Sequence, residues 1–173
     1  LMQMELWEPD GTKRELCSDE KFTCSYEGPV RYADLFRGEC VDARKDDGVP
    51  SEAAYAADHW KPVKLLERKE EDYSILTAQT APAIEVYAEV PARKILTTPN
   101  GETVVDFGQN MAGTIRVEIH AKAGEEISFE HGEVLDADGN FTYAFSDTAH
   151  EQKDVYISAG KSGEIFEPEF TYH

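Results

Sequence analysis

The sequence is poor in cysteine and has no long apolar run. Its cysteines are Cys17, Cys24 and Cys40, and an odd count at wide spacing makes neither a disulfide framework nor a zinc site. We expect free buried thiols, with a Cys17–Cys24 pair across a hairpin as the alternative. No apolar stretch approaches the roughly 18 residues of a membrane-spanning helix. The first residues lack the basic start and the apolar stretch of a signal peptide. They have the pattern of a strand that has already begun, so we expect a fragment.

Basic charge is also scarce. The chain carries 35 Asp and Glu against 17 Lys and Arg, a formal net charge of −18. Phosphate contacts need clustered Lys and Arg, so neither nucleic acid nor an anionic membrane is expected as a partner. The acid excess predicts a solvated surface, and the alternative is that some carboxylates hold Ca²⁺. Residues 136–140, Asp-Ala-Asp-Gly-Asn, have only part of the spacing of a calcium loop and are interpreted as a turn.

The common catalytic motifs are absent as well. There is no G-x-S-x-G, and the five histidines lack the spacing of metal ligands. Glycoside hydrolysis needs two carboxyls at a set separation, and Glu130 and Glu133, beside His131, are the nearest candidates. Because Phe129 is expected to face the core, Glu130 faces outward, where a solvated carboxyl is a poor general acid. No catalytic residue is therefore predicted.

Short strands are the pattern that is present. Ile115, Val117 and Ile119 alternate with polar residues, and Ile127 and Phe129 do the same, which indicates strands with one buried face. The polar link at 121–125 predicts that the two runs form one antiparallel hairpin. Further strands are predicted at 2–7, 13–17, 22–25, 39–43, 84–90, 94–98, 103–107, 141–145, 154–158, with Val155 and Ile157 inward, and 165–172. With Gly and Pro turns and no long helical period, they predict an all-β sandwich or barrel.

A charged stretch divides the chain. Residues 64–72 carry a run of charges that is typical of a linker or a solvated face, and the polar residues up to Pro82 continue it. We place a domain boundary at 75–82. This gives a partial β domain over residues 1–75, incomplete at its N-terminus, and a β-sandwich domain over residues 83–173.

Several short motifs, taken in order, resemble the β-sandwich region of bacterial α-L-rhamnosidases. The central ones are D-F-G-Q-N-x-x-G at 106–113, A-G-E at 123–125 and H-x-E-V-L-D-x-D-G at 131–139. Upstream, G-E-C-V-D-A-R at 38–44 and A-D-H-W-K-P-V at 57–63 are similar to motifs of a more N-terminal, carbohydrate-binding-like domain of the family. At the other end, E-P-E-F-T-Y-H at 167–173 resembles the family's E-P-x-F-T-Y-H. S-D-E-K-F at 18–22 is similar to the family's T-D-x-x-W, with Phe22 in place of Trp. Residues 38–44 are similar to its G-E-x-Y-D-A-R, with Val41 in place of Tyr.

The resemblance implies both a fold and a role. The fold is all-β: a jelly-roll or concanavalin-like β-sandwich with a partial second β-sandwich unit. In the family, of the glycoside hydrolase 78 type, the catalytic domain is a separate (α/α)6 barrel, so the chain alone is expected to be an inactive, supporting fragment. Its expected partners are the missing barrel of the same polypeptide and rhamnose-containing glycans. A stand-alone lectin-like carbohydrate-binding module and a cell-surface adhesion module are the alternatives.

Two groups of residues have the composition of a sugar-contact site, which needs polar groups beside an aromatic face. The first group is Tyr32, Asp34, Arg37, Glu39, Asp42 and Arg44, and the second is Asp106, Gln109 and Asn110. For the first group the alternative is an ion-paired network of Glu39, Asp42 and Arg44 at a strand end. For the second group it is turn capping or interdomain hydrogen bonding. No cofactor is predicted, apart from the Ca²⁺ alternative, and neither a cytoplasmic nor an exported location is favoured.

Overall fold

The computed structural model describes residues 2–48, 55–66, 69, 79–143 and 152–169. Within these residues the protein is all-β, as the sequence predicts, and the one helix is a 3-10 turn at Ala43–Lys45. The strands are β1 Gln3–Trp7, β2 Lys13–Cys17, β3 Thr23–Cys24, β4 Val30–Asp34, β5 Gly38–Asp42, β6 Lys61–Pro62, β7 Lys94–Thr97, β8 Thr103–Asp106, β9 Val117–Ile119, β10 Glu126–Glu130, β11 Lys153–Ile157 and β12 Glu164–Phe166.

The chain forms two compact units that alternate along the sequence. One comprises Leu1–Glu27 and Gly48–Ala83, and the other comprises Gly28–Asp47 and Ile84–His173. The division into residues 1–75 and 83–173 stays a prediction, and the first half of its boundary at 75–82 lies outside the described residues. Most of the charged run at 64–72 and the ends of the strands predicted at 141–145 and 165–172 also lie outside them.

The first unit contains two small antiparallel sheets. β1 pairs with β2 through the predicted hairpin, whose turn includes Gly11 at a φ of +85°. On one face of this hairpin the Lys13 ammonium lies 2.7 Å from both the Glu5 and the Glu15 carboxylate. β3 pairs with β6, which confirms the short strand predicted near Thr23.

The second unit is built on a four-stranded sheet in the order β10-β11-β5-β4. β11 pairs antiparallel with β10 and parallel with β5, and β5 pairs antiparallel with β4. Because β11 is a central strand, it is buried on both faces. The sequence pattern predicts Val155 and Ile157 as its core-facing residues, but the core takes Tyr156 instead, while Val155 is buried on the opposite face.

A second layer, formed by β9 paired with β12, packs on this sheet. Ile119, Tyr156 and Phe166 are the buried residues of the shared core. The ring centroid of Phe166 lies 5.0 Å from that of Tyr156 and 5.5 Å from that of Phe129, which are favourable distances for aromatic pairs. The remaining sheet of the unit is the hairpin of β7 and β8, both predicted from the sequence.

The hairpin predicted from runs 115–119 and 127–129 is wrong. The alternation within each run is confirmed, because Ile119 is buried whereas Glu118 and His120 are exposed. However, β9 pairs with β12 and β10 pairs with β11, so the two runs belong to different sheets. The link crosses between the layers, and the Gly124 amide donates to the Ser158 carbonyl at 2.8 Å. Alternation identifies the buried face of a strand, but not the neighbour with which the strand pairs.

The strand predicted over residues 84–90 is also not formed in the described part of the chain. These residues pair with none of the described strands, and most of their side chains are exposed. Their alternation of apolar and polar residues is that of a strand, but a strand needs a neighbour to satisfy its backbone.

The three cysteines are free, as expected, but the expected burial holds only for Cys40, since Cys24 is partly buried and Cys17 is exposed. Burial, reinforced by the nearby Glu126 and Asp42 carboxylates, raises the pKa of the Cys40 thiol. A raised pKa keeps this thiol in its unreactive protonated form. Within the described residues, no helix has the length and apolar character that a membrane span requires.

Candidate functional site

The first candidate group follows β4, a tight turn and β5. In the ladder between these strands, Tyr32 lies opposite Cys40 and Asp34 lies opposite Gly38. Since side chains alternate along a strand, Tyr32 and Asp34 share one face of the sheet while Glu39 points to the other. The structure therefore does not bring the six predicted residues together on one face of the sheet.

Asp34 caps the turn between β4 and β5. Its Oδ1 accepts from the Phe36 amide at 2.9 Å and from the Arg37 amide at 3.2 Å. The Arg37 carbonyl accepts from the Lys153 amide of β11 at 3.3 Å. Gly38 ends the turn with a φ of +92°, and a Cβ at this position would lie 2.1 Å from the Lys153 carbonyl oxygen. β11 thus comes so close to the turn that glycine alone fits there.

Asp42 and Arg44 form a bidentate ion pair at the end of β5. Arg44 Nε lies 2.8 Å from Asp42 Oδ1, and Nη2 lies 2.9 Å from Oδ2. The hydrogen bonds from the Arg44 side chain are the main reason that the pKa of Asp42 is lowered. The strand-end ion pair offered by the sequence is therefore formed by Asp42 and Arg44.

Glu39 belongs to a different group, a buried acid cluster that consists of Glu39, Asp154 and His131. Glu39 is 3% exposed and Asp154 is 0% exposed. Asp154 Oδ1 accepts from the Glu39 amide at 3.1 Å, and Oδ2 lies 3.1 Å from His131 Nε2. The Glu39 carboxylate accepts from the Glu169 amide at 3.1 Å. The cluster thus joins β5, β11, the end of β10 and the segment after β12.

The environment of the cluster changes the acidity of Glu39. Burial is the main reason that the pKa of Glu39 is raised, because a charged carboxylate is poorly solvated there. The hydrogen bond from the Glu169 amide opposes this effect, and the Asp154 carboxylate adds to it. Glu39 is therefore held more easily as a neutral acid than an exposed glutamate is.

Sequence reasoning does not identify Asp154 as a partner of Glu39 or His131. In the ladder Asp154 lies opposite Phe129, so its side chain shares the face of the sheet that carries the core. One signal is available in the sequence: Asp154 directly precedes the apolar run Val155 to Ile157. An acid at the start of such a buried run requires hydrogen-bond partners, because charged side chains are almost never fully buried alone.

A second buried carboxylate, Glu164, also lies outside the predicted groups. Its Oε2 accepts from the Tyr156 hydroxyl at 2.9 Å and from the Ala159 amide at 3.1 Å. Its Oε1 accepts from the Ser158 hydroxyl at 3.3 Å and from the Lys161 amide. Burial opposes ionisation, but the four donors together lower the pKa of Glu164, while burial and the Glu164 contact raise the pKa of Tyr156 to about 12. Glu164 thereby closes the loop between β11 and β12.

The second candidate group follows β8. Asp106 Oδ1 accepts from the Gly108 amide at 2.6 Å, which closes a turn. Gln109 Nε2 lies 3.7 Å from the Met111 sulfur, and Asn110 is exposed. Asp106 therefore has the turn-capping geometry that the sequence offers as an alternative. Among the described residues, no hydrogen bond joins this group to the first one.

The described part of the chain contains no group of three or more His, Cys, Asp or Glu side chains arranged to hold a metal ion. In the turn at 136–140, Asp136 Oδ1 accepts from the Asp138 amide at 2.9 Å and from the Asn140 amide at 2.8 Å. These bonds fit the interpretation of this stretch as a turn. Calcium binding stays an alternative from the sequence rather than a prediction.

Comparison with known proteins identifies the family. Residues 1–88, half of the chain, match the model of the alpha-L-rhamnosidase N-terminal domain. This chain belongs to the α-L-rhamnosidase family. Residues 96–173 match the bacterial alpha-L-rhamnosidase concanavalin-like domain. The resemblance and the β-sandwich fold stated from the sequence are both confirmed.

The rhamnosidase relatives are much longer than this chain. An alpha-L-rhamnosidase of Streptomyces avermitilis is 31% identical over 173 residues, which are 100% of this chain and 16% of that protein. One from Formosa agariphila is 30% identical over 168 residues, which cover 95% of this chain and 17% of that protein. The crystal structure of the S. avermitilis enzyme complexed with L-rhamnose matches 97% of this chain, and 16% of that chain, with a TM-score of 0.83 and 30% identity. The chain thus spans about a sixth of the length of these relatives.

Proposed function

We propose that these 173 residues are a non-catalytic β-sandwich part of an α-L-rhamnosidase that removes terminal α-L-rhamnose from glycans or glycosides. The observation that carries the proposal is the pair of family matches, to an N-terminal domain over 1–88 and to a concanavalin-like domain over 96–173. The small share of each relative that the chain covers leaves most of an α-L-rhamnosidase outside it. The chain's role is to support and orient the catalytic barrel of the same polypeptide.

The placement of the carboxylates supports a non-catalytic role. Hydrolysis with inversion needs an acid and a base roughly 6.5–9.5 Å apart across a space that holds water and sugar. Both carboxylate oxygens of Glu164 and Oδ1 of Asp154 accept hydrogen bonds from their own chain, and Asp154 Oδ2 lies 3.1 Å from His131 Nε2. Glu130 binds the Tyr143 hydroxyl at 2.6 Å and is exposed, as is Glu133. These carboxylates serve the fold or face solvent.

Sugar contact is a secondary part of the proposal. Tyr32 on β4 and Phe36 in the turn after β4 have exposed aromatic rings, and polar residues lie close to them in sequence. Stacking of a pyranose ring on such a surface buries little area, so binding of a monosaccharide is expected at about millimolar strength. A lectin-like module with no attached enzyme is the second candidate function, and this surface is the observation that favours it.

A turnover assay tests the non-catalytic role. The 173-residue chain should not hydrolyse p-nitrophenyl α-L-rhamnoside above background, whereas the longer polypeptide that contains it should. Turnover by the chain alone that disappears in Glu130→Gln or Glu133→Gln would overthrow the proposal. A reading frame that closes at His173 would favour the lectin-like module.

A calorimetric or NMR titration with L-rhamnose, with and without Ca²⁺, tests sugar contact. Saturable binding that is lost in Tyr32→Ala but kept in Gln109→Ala would assign the contact to the first group. The reverse result would assign it to the second group. Absence of binding in both conditions would leave support of the barrel as the whole function.

A further inference from the structure

Residues 84–90 have the sequence of a strand but pair with no strand that the structure describes. Ile84, Val86, Ala88 and Val90 alternate with Glu85, Tyr87 and Glu89. Ile84 is 88% exposed, Val86 is 72% exposed and Tyr87 is 96% exposed. Among the described residues, no sheet includes this stretch and no backbone hydrogen bond reaches it. Within the described part of the chain, these seven residues thus have an unpaired backbone beside two large exposed apolar side chains and a tyrosine.

An exposed apolar segment with an unpaired backbone is unfavourable in a native protein. Natural proteins shorten, charge or cover unpaired strands, because the free amides and carbonyls recruit other strands. Exposed apolar patches of this kind mark surfaces that contact protein. The stretch therefore fits a partner that adds a strand by backbone pairing and covers the apolar face.

We infer that residues 84–90 pair with a β-strand from a part of an α-L-rhamnosidase polypeptide that lies outside these 173 residues. The inference rests on the proposed function. The chain covers only 16% and 17% of its rhamnosidase relatives, so most of their length is available to supply such a strand. The partner strand should carry apolar side chains on the face that meets Val86 and a Lys or Arg on the face that meets Glu85 or Glu89.

A second copy of this chain fits less well. An antiparallel pairing centred on Tyr87, which uses all seven residues, would set Glu85 of each copy directly opposite Glu89 of the other. Like charges that face each other across two strands are destabilising. Each copy also carries a net charge of −18, so the copies repel each other at long range. Charge therefore favours a basic strand over a second acidic one.

Hydrogen exchange measured by mass spectrometry tests the pairing. In the 173-residue chain, amides of 84–90 should exchange at the rate of an unprotected segment. In the longer polypeptide that contains the chain, about half of these amides should exchange at least roughly 100-fold more slowly, because a single partner strand bonds alternate residues.

Val86→Lys and Ile95→Lys form a matched pair of variants in the longer polypeptide. Both remove a β-branched residue and add one charge, and the exposures are similar, 72% and 69%. Ile95 differs in lying on β7, which already pairs with β8. Val86→Lys should reduce protection of 84–90 at least tenfold, while Ile95→Lys should leave it unchanged. Equal effects of the two variants would overturn the inference.

The remaining outcomes separate this inference from the proposed function. A longer polypeptide that hydrolyses the rhamnoside but leaves 84–90 unprotected overturns the strand pairing and keeps the function. A longer polypeptide in which 84–90 are protected but which has no rhamnosidase activity keeps the strand pairing and overturns the proposed function. Protection that appears in the 173-residue chain together with a dimer in analytical ultracentrifugation identifies a second copy as the occupant, and also overturns the inference.

Discussion

Glu39 and Glu164 are both buried glutamates, yet their surroundings move their pKa values in opposite directions. Glu39 has one amide donor and an acidic neighbour, so burial dominates and the pKa is raised. Glu164 has four donors, and their hydrogen bonds outweigh burial, so the pKa is lowered. The number of donors around a buried carboxyl therefore decides whether the charge is tolerated.

Replacement of Glu39 by glutamine should stabilise the chain at neutral pH. Glutamine keeps an oxygen for the Glu169 amide and removes a poorly solvated charge, and the expected gain is on the order of 1 kcal/mol. The pKa of Glu39 is raised in the folded state. The Glu39 side chain therefore contributes favourably to the free energy of unfolding at low pH, and this contribution is lost as pH rises past the ordinary glutamate value. The gain from Glu39→Gln should thus shrink on acidification, as measured by urea unfolding at several pH values. A gain that grows at low pH would contradict the assignment.

Replacement of Glu164 should have the opposite pH dependence. Glu164→Ala leaves several buried donors unpaired and should cost about 2–4 kcal/mol at pH 7. Since the pKa of Glu164 is lowered in the folded state, its stabilisation is present above the ordinary glutamate value and is lost as pH falls through the folded value. Thermal unfolding at pH 7 and in acid should show the cost decrease in acid. The exposed Glu126→Ala serves as the control and should stay within about 0.5 kcal/mol of the wild type.

Among the elements, the turn between β4 and β5 depends most strictly on one residue. Gly38→Ala combines an unfavourable positive φ with a Cβ that overlaps the Lys153 carbonyl, and it should cost about 3 kcal/mol or more. Gly11→Ala is the matched control, because Gly11 also has a positive φ but no atom lies within 4 Å of the added Cβ. It should cost about 1–2 kcal/mol. Chemical denaturation of both variants measures the difference in their free energies of unfolding. Equal costs would mean that β11 shifts away from the turn to accommodate the added Cβ.

The positions of most strands can be predicted from the sequence, whereas the pairing between strands cannot. β1 and β2 could be paired correctly because Pro9, Asp10 and Gly11 form a turn between adjacent runs. β10 and β11 could not, because more than twenty residues separate them and alternation carries no information about distant neighbours. Residues 84–90 show the same limit, since their pattern is that of a strand although the described chain gives them no neighbour.

The candidate site was predictable in composition but not in geometry. Asp34 and Asp106 belong to turns, which local sequence indicates, and both cap them. Glu39 and Asp42 lie only three residues apart, yet alternation sends them to opposite faces of β5. The contact between Glu39 and Asp154 depends on the parallel pairing of β5 with β11, which no local pattern reveals.

At the scale of the whole molecule, the acidic charge should make stability dependent on salt. A net charge of −18 produces repulsion between like charges, and this repulsion is stronger in the compact folded state than in the unfolded chain. Raising NaCl from about 10 mM to about 150 mM shortens the screening length from about 30 Å to about 8 Å. The melting temperature should rise, by about 2–4 °C for each kcal/mol of repulsion relieved, in a calorimetric scan. A fall would indicate that ion pairs such as Asp42–Arg44 outweigh the repulsion.

The parallel pairing of β5 with β11 also constrains the order in which the chain can fold as it is synthesised. Glu39 and Asp154, which meet in this pairing, are separated by 115 positions in the sequence. At a synthesis rate of roughly 5–20 residues per second, β5 waits about 6–23 seconds for its neighbour to leave the ribosome. During that interval the nascent β4–β5 hairpin lacks β11, the strand that pairs with the other edge of β5. We therefore expect the sheet to close late, with slow, non-local kinetics, and the nascent chain to expose unpaired strand edges to aggregation or chaperone binding until then.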